Sequence, residues 1–582
     1  MSIHGWLQVA ILLALVAIST PILGNYLARL YTGQKVWGDR LWRPIERGIY
    51  RVSGIDPESE QRWSAYVVSL LVFTVVGIAA SYLIFRLQAH LPFNADHMKN
   101  LSPGQAFNEA VSYGTNTDWQ SYVGESTMSH LSQMLGIVGL HFFVSSAVGM
   151  ALAAAFIRGL TRRRRTTVGN FWVDTIRTCF GVMIPITFVF ALVFMSQGVI
   201  QNFHASKSVT TAAVQSVDAK GNPVTTQSVP GGPIASMVSI EALGDNGGGA
   251  FNANMAHPFQ NPNGITNVLF LWLFMAIPFA FPWAYGKMVG SMRQGMVVLS
   301  AMAILFLIGM FVTLAFETHG NPKLAPAGVT QVVSSTNPGG NLEGKDLRIG
   351  TVGTTFDANA VVGTSAGMNS SAHESYTPGG GATVMFQIML GEVDPGGTGT
   401  GLYGLLIMVF ISVFIAGLMV GRTPEYLGKK VTATEVKLAA LYVLVLPFTV
   451  LVLASASIVT GAASKSLSTG GAHGLTEMVY AFTSLAHNNG TAFGGLTANT
   501  TWFNVFGSFT MWAGRFALII PALAIAGALV RKRPVAITAG SLRTDTPLFT
   551  GMIVVVTFIL TGLTYFPALA LGPLAEHLTG HF

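Results

Sequence analysis

The chain has 582 residues, 51% of them hydrophobic and only 10% charged, with a mean hydropathy of +0.53, against about 25% charged residues in a typical soluble domain. That composition excludes an ordinary soluble enzyme and requires an integral membrane protein. The formal net charge of +7 does not point to nucleic acid, because the basic residues gather in particular short loops, and the single cysteine, Cys179, excludes an internal disulfide and reads as a small buried hydrophobe.

The N-terminal stretch MSIHGWLQVAILLALVAISTPILGNYLARLYTG is long and apolar enough to cross a bilayer but has no basic leader and no A-x-A cleavage site, so it reads as a retained anchor. With about 20 apolar residues needed per crossing, spans are predicted near 4–30, 63–86, 131–157, 172–197, 265–287, 295–316, 402–421, 436–460, 501–530 and 547–571. If the N-terminus is outside, the inward loops 31–62, 158–177, 287–293, 422–437 and 531–543 hold 22 of the 32 Lys and Arg residues, including RRRR at 162–165. This is the bias of the positive-inside rule. Both termini are therefore expected outside, and the basic clusters are expected to meet anionic lipid or a cytoplasmic partner.

Between the spans, segments 201–232 and 317–380 are rich in Ser, Thr, Gly, Asn and Val without helical periodicity, and read as polar excursions with no obvious chemistry. Four loops are more informative: YGTNTDWQSY at 113–122, GDNGGGAFNAN at 244–254, GEVDPGGTGTG at 391–401 and HNNGTAFGGLTAN at 487–499. Each follows a candidate half-length helix, near 103–113, 233–243, 381–390 and 473–486, and each precedes a span. The second and fourth share N-G, then A-F, then A-N. The expected architecture is an all-α polytopic protein of about ten spans. A first span and inward loop (1–62) precede four pseudo-repeated span, pore-helix, loop and span units at 63–157, 172–290, 293–421 and 436–530, and a last span at 547–571 follows.

Non-helical backbone at membrane depth is tolerated only when it is buried in protein or lines a watery cavity, so the four loops are expected to meet on one axis. Their carbonyl oxygens could then replace the hydration shell of a cation, with glycine supplying φ angles that a Cβ forbids. Potassium suits neutral amide, hydroxyl and carbonyl groups, whereas calcium and magnesium favour carboxylate clusters or retained water. Asp118, Asp245 and Glu392 could attract cations to the entrance or serve as helix caps. Arg515, mid-span in FGSFTMWAGRFALII, costs at least about 2.5 kcal/mol to insert. It reads as a fixed charge that seals or gates the pore, or as a structural partner for a carbonyl or acid. Gly404 and Gly417 could allow a broken helix.

Other matches carry less. GGNLEGK at 339–345 fits G-x4-G-K, but Asp346 stands where a magnesium-binding Ser or Thr is needed, and no apolar strand precedes it. GTGLYG at 399–404 opens a span rather than following a strand. No D-K-T-G phosphorylation motif occurs, so any coupled ATP chemistry belongs to a partner. His257 and His487 lack metal-ligand spacing and read as hydrogen-bonded structural residues.

TNTDWQ at 115–120, NGGGAFNAN at 246–254, GLYG at 401–404, GRTPEYLGKK at 421–430 and NNGTAFGGL at 488–496 resemble, in order along nearly the whole chain, signatures of the potassium-binding subunit of Kdp-type potassium-transporting P-type ATPases. The resemblance implies a filter lined by Asn116 and Thr117, by Asp245, Asn246 and Gly247, by Leu390, Gly391 and Glu392, and by Asn488, Asn489 and Gly490, with Thr115, Asp118 and Gln120 nearby. Asp118, Asp245 and Leu390 depart from the family's usual Asn, Thr and Cys.

It further implies a multi-pass subunit of the bacterial inner membrane that binds and selects external K+ for ATP-driven, high-affinity uptake. Its partners would be an ATP-hydrolysing P-type subunit, a small single-span subunit and sometimes a very short helical peptide. ATP and Mg2+ would act only through the partner, and ions would leave sideways. Two alternatives are a stand-alone potassium channel or ion-coupled symporter of the same four-unit superfamily, and a membrane enzyme, for which the sequence pairs no nucleophile with a base.

Overall fold

The computed structural model describes residues 3–211, 216–217, 221–324, 326–533, 535 and 542–579. Among them, ten helices are long and apolar enough to cross a membrane: Gly5–Tyr31, Trp63–His90, Ser132–Thr161, Phe171–Ser196, Gly264–Met288, Met292–His319, Thr400–Met419, Ala433–Val459, Phe503–Val530 and Pro547–Thr579. They coincide with the ten predicted spans. The last runs past its expected end through a kink at Gly572.

Caps written in the sequence start several helices. Ser102 accepts from the Gln105 N–H ahead of Pro103, Thr377 from Gly380 ahead of Pro378, and Thr546 from Phe549 ahead of Pro547; proline at the first helical position forfeits no intrahelical bond. Asn263 with Thr266, and Thr432 with Glu435, close reciprocal capping boxes.

Five buried helices are too short to cross at about 1.5 Å per residue: Pro103–Gly114, Ile234–Leu243, Gly350–Thr364, Pro378–Met389 and Gly471–His487. Four of these coincide with the candidate half-length helices near 103–113, 233–243, 381–390 and 473–486. The helix Gly350–Thr364 lies inside the segment 317–380 expected to be a polar excursion without helical periodicity, and every one of its residues is buried. Burial on all sides removes the apolar stripe from which helices are read, and its Thr, Gly and Asn content lowers helix propensity.

Four spans, Ser132–Thr161, Gly264–Met288, Thr400–Met419 and Phe503–Val530, are the most deeply buried of the ten. They form an inner layer around the short helices. The outer spans carry exposed apolar side chains, such as Val68, Val72, Val75 and Val76, as a lipid-facing surface requires. Small residues let the inner layer close: a Cβ on Gly159 would sit 2.7 Å from the Ala526 Cα, so two inner spans touch backbone to backbone.

On one side of the bundle, Lys207–Thr210 pairs antiparallel with Thr226–Val229. There too the ammonium of Lys345 meets Glu317 at 2.7 Å with both side chains fully buried and lies 4.0 Å from the centre of the Tyr376 ring. Asn341 and Thr377 donate to the same carboxylate. The GGNLEGK stretch is thus a clasp that ties the excursion to the end of the Met292–His319 span.

Candidate functional site

The short helices Pro103–Gly114, Ile234–Leu243, Gly350–Thr364 and Gly471–His487 each run into a buried tip that opens with a left-handed residue: Asn116 (φ 57°), Asp245 (50°), Ser365 (64°) and Asn488 (58°). A second left-handed residue follows two places on at Asp118 (58°), Gly367 (68°) and Gly490 (90°), and three places on at Gly248 (81°). Aligned on the first of these, the tips read TNTD (115–118), GDNG (244–247), TSAG (364–367) and HNNG (487–490).

The tips meet in a ring. A Cβ on Gly490 would lie 2.2 Å from the Thr117 carbonyl oxygen, one on Gly367 2.8 Å from that of Asn489, and one on Gly247 2.4 Å from that of Ala366. Three seams therefore share one geometry: the fourth residue of one tip backs onto the third carbonyl of the next. The remaining seam joins the first and second tips through side chains. Asp118 Oδ2 accepts from the Gly247 N–H at 3.0 Å and from Asn246 Nδ2 at 3.1 Å, and Asn246 Nδ2 also donates to Asn116 Oδ1 at 3.1 Å. Asn116 Nδ2 donates to the Asp245 carbonyl and Gln120 Nε2 to that of Gly249, each at 3.1 Å. Elsewhere Asn488 Nδ2 donates to Thr117 Oγ1 at 2.8 Å, Asn489 Nδ2 to the Val362 carbonyl at 3.1 Å, and the hydroxyls of Thr115 and Thr117 are 2.7 Å apart.

The third tip differs from expectation. Leu390, Gly391 and Glu392 follow the Pro378–Met389 helix in a connection to the Thr400–Met419 span, and residues 364–367 take the place in the ring. The confusion has a physical source: Gly391 (φ 88°) and Glu392 (53°) make the same kind of left-handed turn after a short helix. The discriminating signal in the sequence is the glycine two places after a small polar residue, shared by DNG, SAG and NNG. Glu392 stays close to the ring, accepting from Asn489 Nδ2 at 3.4 Å. The break in this crossing lies before Gly404 and Gly417, both of which are inside the continuous helix Thr400–Met419.

Two cavities flank the ring. An outer one of about 520 Å³ is bounded by Asp118, Gln120, Gly248, Gly367 and Gly490. An inner one of about 40 Å³ is bounded by Asn116, Ser365, Asn488, Glu392, His487 and Arg515. The second residues Asn116, Ser365 and Asn488 thus border the inner cavity, and the fourth residues Asp118, Gly367 and Gly490 the outer one. Burial pushes the carboxyls of Asp118 and Glu392 up to about 8, against the pull of their hydrogen bonds and of the Arg515 charge. Burial and the neighbouring Glu392 charge raise that of Asp245 as well. Arg515 Nη2 reaches the Ser145 carbonyl at 3.5 Å.

His487 Nδ1 lies 2.8 Å from the Thr483 carbonyl. His257 stacks on Phe251 with centroids 3.8 Å apart and accepts from the Phe259 N–H. A ring of fixed, mostly neutral oxygens between two polar cavities is suited to a dehydrated monovalent cation.

Residues 10–578 match the family model described as potassium-transporting ATPase A subunit. The chain is 50% identical over 581 residues to the potassium-transporting ATPase potassium-binding subunit of Mycobacterium tuberculosis (strain ATCC 25618 / H37Rv), covering 100% of both chains. It is 47% identical over 579 residues to the protein of the same name from Rhodospirillum centenum, covering 100% of this chain and 98% of that one. The crystal structure of the potassium transporter TrkH from Vibrio parahaemolyticus aligns with 91% of this chain and 98% of its own at 16% identity and a TM-score of 0.48.

Proposed function

The chain belongs to the family of potassium-transporting ATPase A subunits, and from that premise we propose that it is the potassium-binding subunit of such a complex and that the ring of four tips is its ion-selecting site. The observation that carries the site is the repeated seam, in which Gly490, Gly367 and Gly247 back onto the carbonyls of Thr117, Asn489 and Ala366. Those carbonyls are held by packing rather than by the ion, so they exchange for hydration water without reorganising. The proposed lining is Asn116 and Thr117 from the first tip, Asp245 to Gly247 from the second, Ser365 to Gly367 from the third, and Asn488 to Gly490 from the fourth. Thr115, Asp118 and Gln120 support it. Glu392 acts on the inner side, and Leu390 and Gly391 fall outside the lining.

Ions enter from the outer cavity and reach the inner one, where the Arg515 charge opposes straight passage. ATP and Mg2+ act through a P-type ATPase partner, with a small single-span subunit and a very short helical peptide completing the complex in the bacterial inner membrane, both termini of this chain outside. The family assignment gives no support to the stand-alone channel or symporter. The test is ATP hydrolysis by the purified complex against potassium concentration, together with potassium flux into liposomes holding this chain alone. Potassium-stimulated hydrolysis with no flux through the lone chain is expected; hydrolysis indifferent to potassium, or free conduction by the lone chain, contradicts the proposal.

A further inference from the structure

The four seams of the ring are unequal, and the odd one is bridged by side chains, with Asp118 at its centre. Where the other tips end in glycine, the first ends in Asp118, which is only 1% exposed and left-handed at φ 58°. One carboxylate oxygen, Oδ2, serves two donors of the second tip, the Gly247 N–H and the Asn246 amide. The other, Oδ1, is buried without a hydrogen-bond partner, in a residue that belongs to the wall of the outer cavity. The bonds from Asn116 to Asp245 and from Gln120 to Gly249 flank this bridge, making a cross-braced seam unlike the three glycine seams.

We propose that Asp118 is a positioning residue that fixes the spacing of the first and second tips through Oδ2 and offers Oδ1 as an entry ligand to a monovalent cation arriving from the outer cavity. The inference rests on reading the ring as the ion-selecting site. Fixed oxygens discriminate against a smaller ion only if they cannot follow it inward. At the glycine seams close backbone packing sets that limit; at the first seam side-chain hydrogen bonds set it, with the Asp118 carboxylate the one that holds two donors of the second tip. A cation held at Oδ1 favours the ionised carboxylate, which accepts on both oxygens, so the bridge and the entry contact are compatible.

In the purified complex, ATP hydrolysis titrated with K+, Rb+, NH4+ and Na+ tests this. Asp118→Asn keeps an acceptor at the bridge and is expected to raise half-saturating potassium by about threefold with the order of ions unchanged. Asp118→Ala is expected to raise it by about tenfold or more and to narrow the preference for potassium over sodium. Amide exchange across residues 244–250 of the same complexes, which needs no turnover, is expected to speed up in the Ala variant and not in the Asn variant. Wild-type affinities and ion order in Asp118→Ala overturn the proposal, as does equal damage from both substitutions in both readouts. A wild-type complex that ignores potassium overturns the reading of the ring instead.

Discussion

At Gly490 the backbone combines a φ of 90° with a Cβ position 2.2 Å from the Thr117 oxygen. A side chain there is excluded twice, once by conformation and once by space. Gly490→Val is therefore expected to raise the potassium concentration for half-maximal ATP hydrolysis at least about tenfold, a loss of about 1.4 kcal/mol or more of ion binding, while the variant still inserts and assembles. The same substitution at Gly391 meets open space despite a φ of 88°, so its effect is expected to be smaller; equal effects at both glycines would contradict their assignment to ring and connection. The loops holding Asn116, Thr117, Asn246, Asn488 and Asn489 stood out in the sequence as amide-, hydroxyl- and glycine-rich runs in an apolar chain, and the family resemblance singled out the residues themselves. Ser365 and Ala366 were not, since a small hydroxyl and a methyl carry no signature and their contribution to the ring comes from backbone.

Among elements, the spans were legible nearly to the residue because a hydrocarbon core sets one length and tolerates few charges. Three of the four ring-forming short helices were legible from their apolar stretches and from the glycine loops that follow. Gly350–Thr364 was hidden by complete burial and weak propensity, and the clasp of Lys345 with Glu317 that anchors the segment before it joins residues 28 positions apart. Breaking that buried pair leaves an uncompensated charge, so Lys345→Met is expected to destabilise the protein by about 3–5 kcal/mol. Lys345→Met with Glu317→Leu is expected to cost less, and thermal unfolding of the detergent-purified chain compares the two.

The C-terminal helix is pinned by His473, whose Nδ1 lies 2.8 Å from Glu576 Oε1. Burial pushes this imidazole's pKa down, but the hydrogen bond and charge of Glu576, with Glu374 and Glu477 nearby, outweigh it and hold the pKa above its ordinary value of 6.5. Protonation is thus tighter in the folded state. The stabilisation is complete below about pH 6.5 and disappears as pH rises through the folded value. His473→Gln is expected to lower the melting temperature at pH 6 and to converge on the wild type under alkaline conditions; a gap constant with pH would rule the ion pair out.

On the scale of the molecule, ten apolar helices, a bias of basic residues toward one set of loops and a family match over residues 10–578 agree on a multi-pass potassium-transporting subunit. What the linear sequence withheld was the pairing order of the tips around the ring, first to fourth to third to second, because it is fixed by contacts between segments more than a hundred residues apart. That order places four backbone turns between an outer and an inner cavity, and the proposed function puts one ion position at their centre. Anomalous scattering from Tl+ or Rb+ soaked into crystals of the complex tests this most directly. The account predicts a peak enclosed by residues 115–118, 244–247, 364–367 and 487–490. A peak confined to the outer cavity or to the connection at 390–392, with the ring empty, would contradict it.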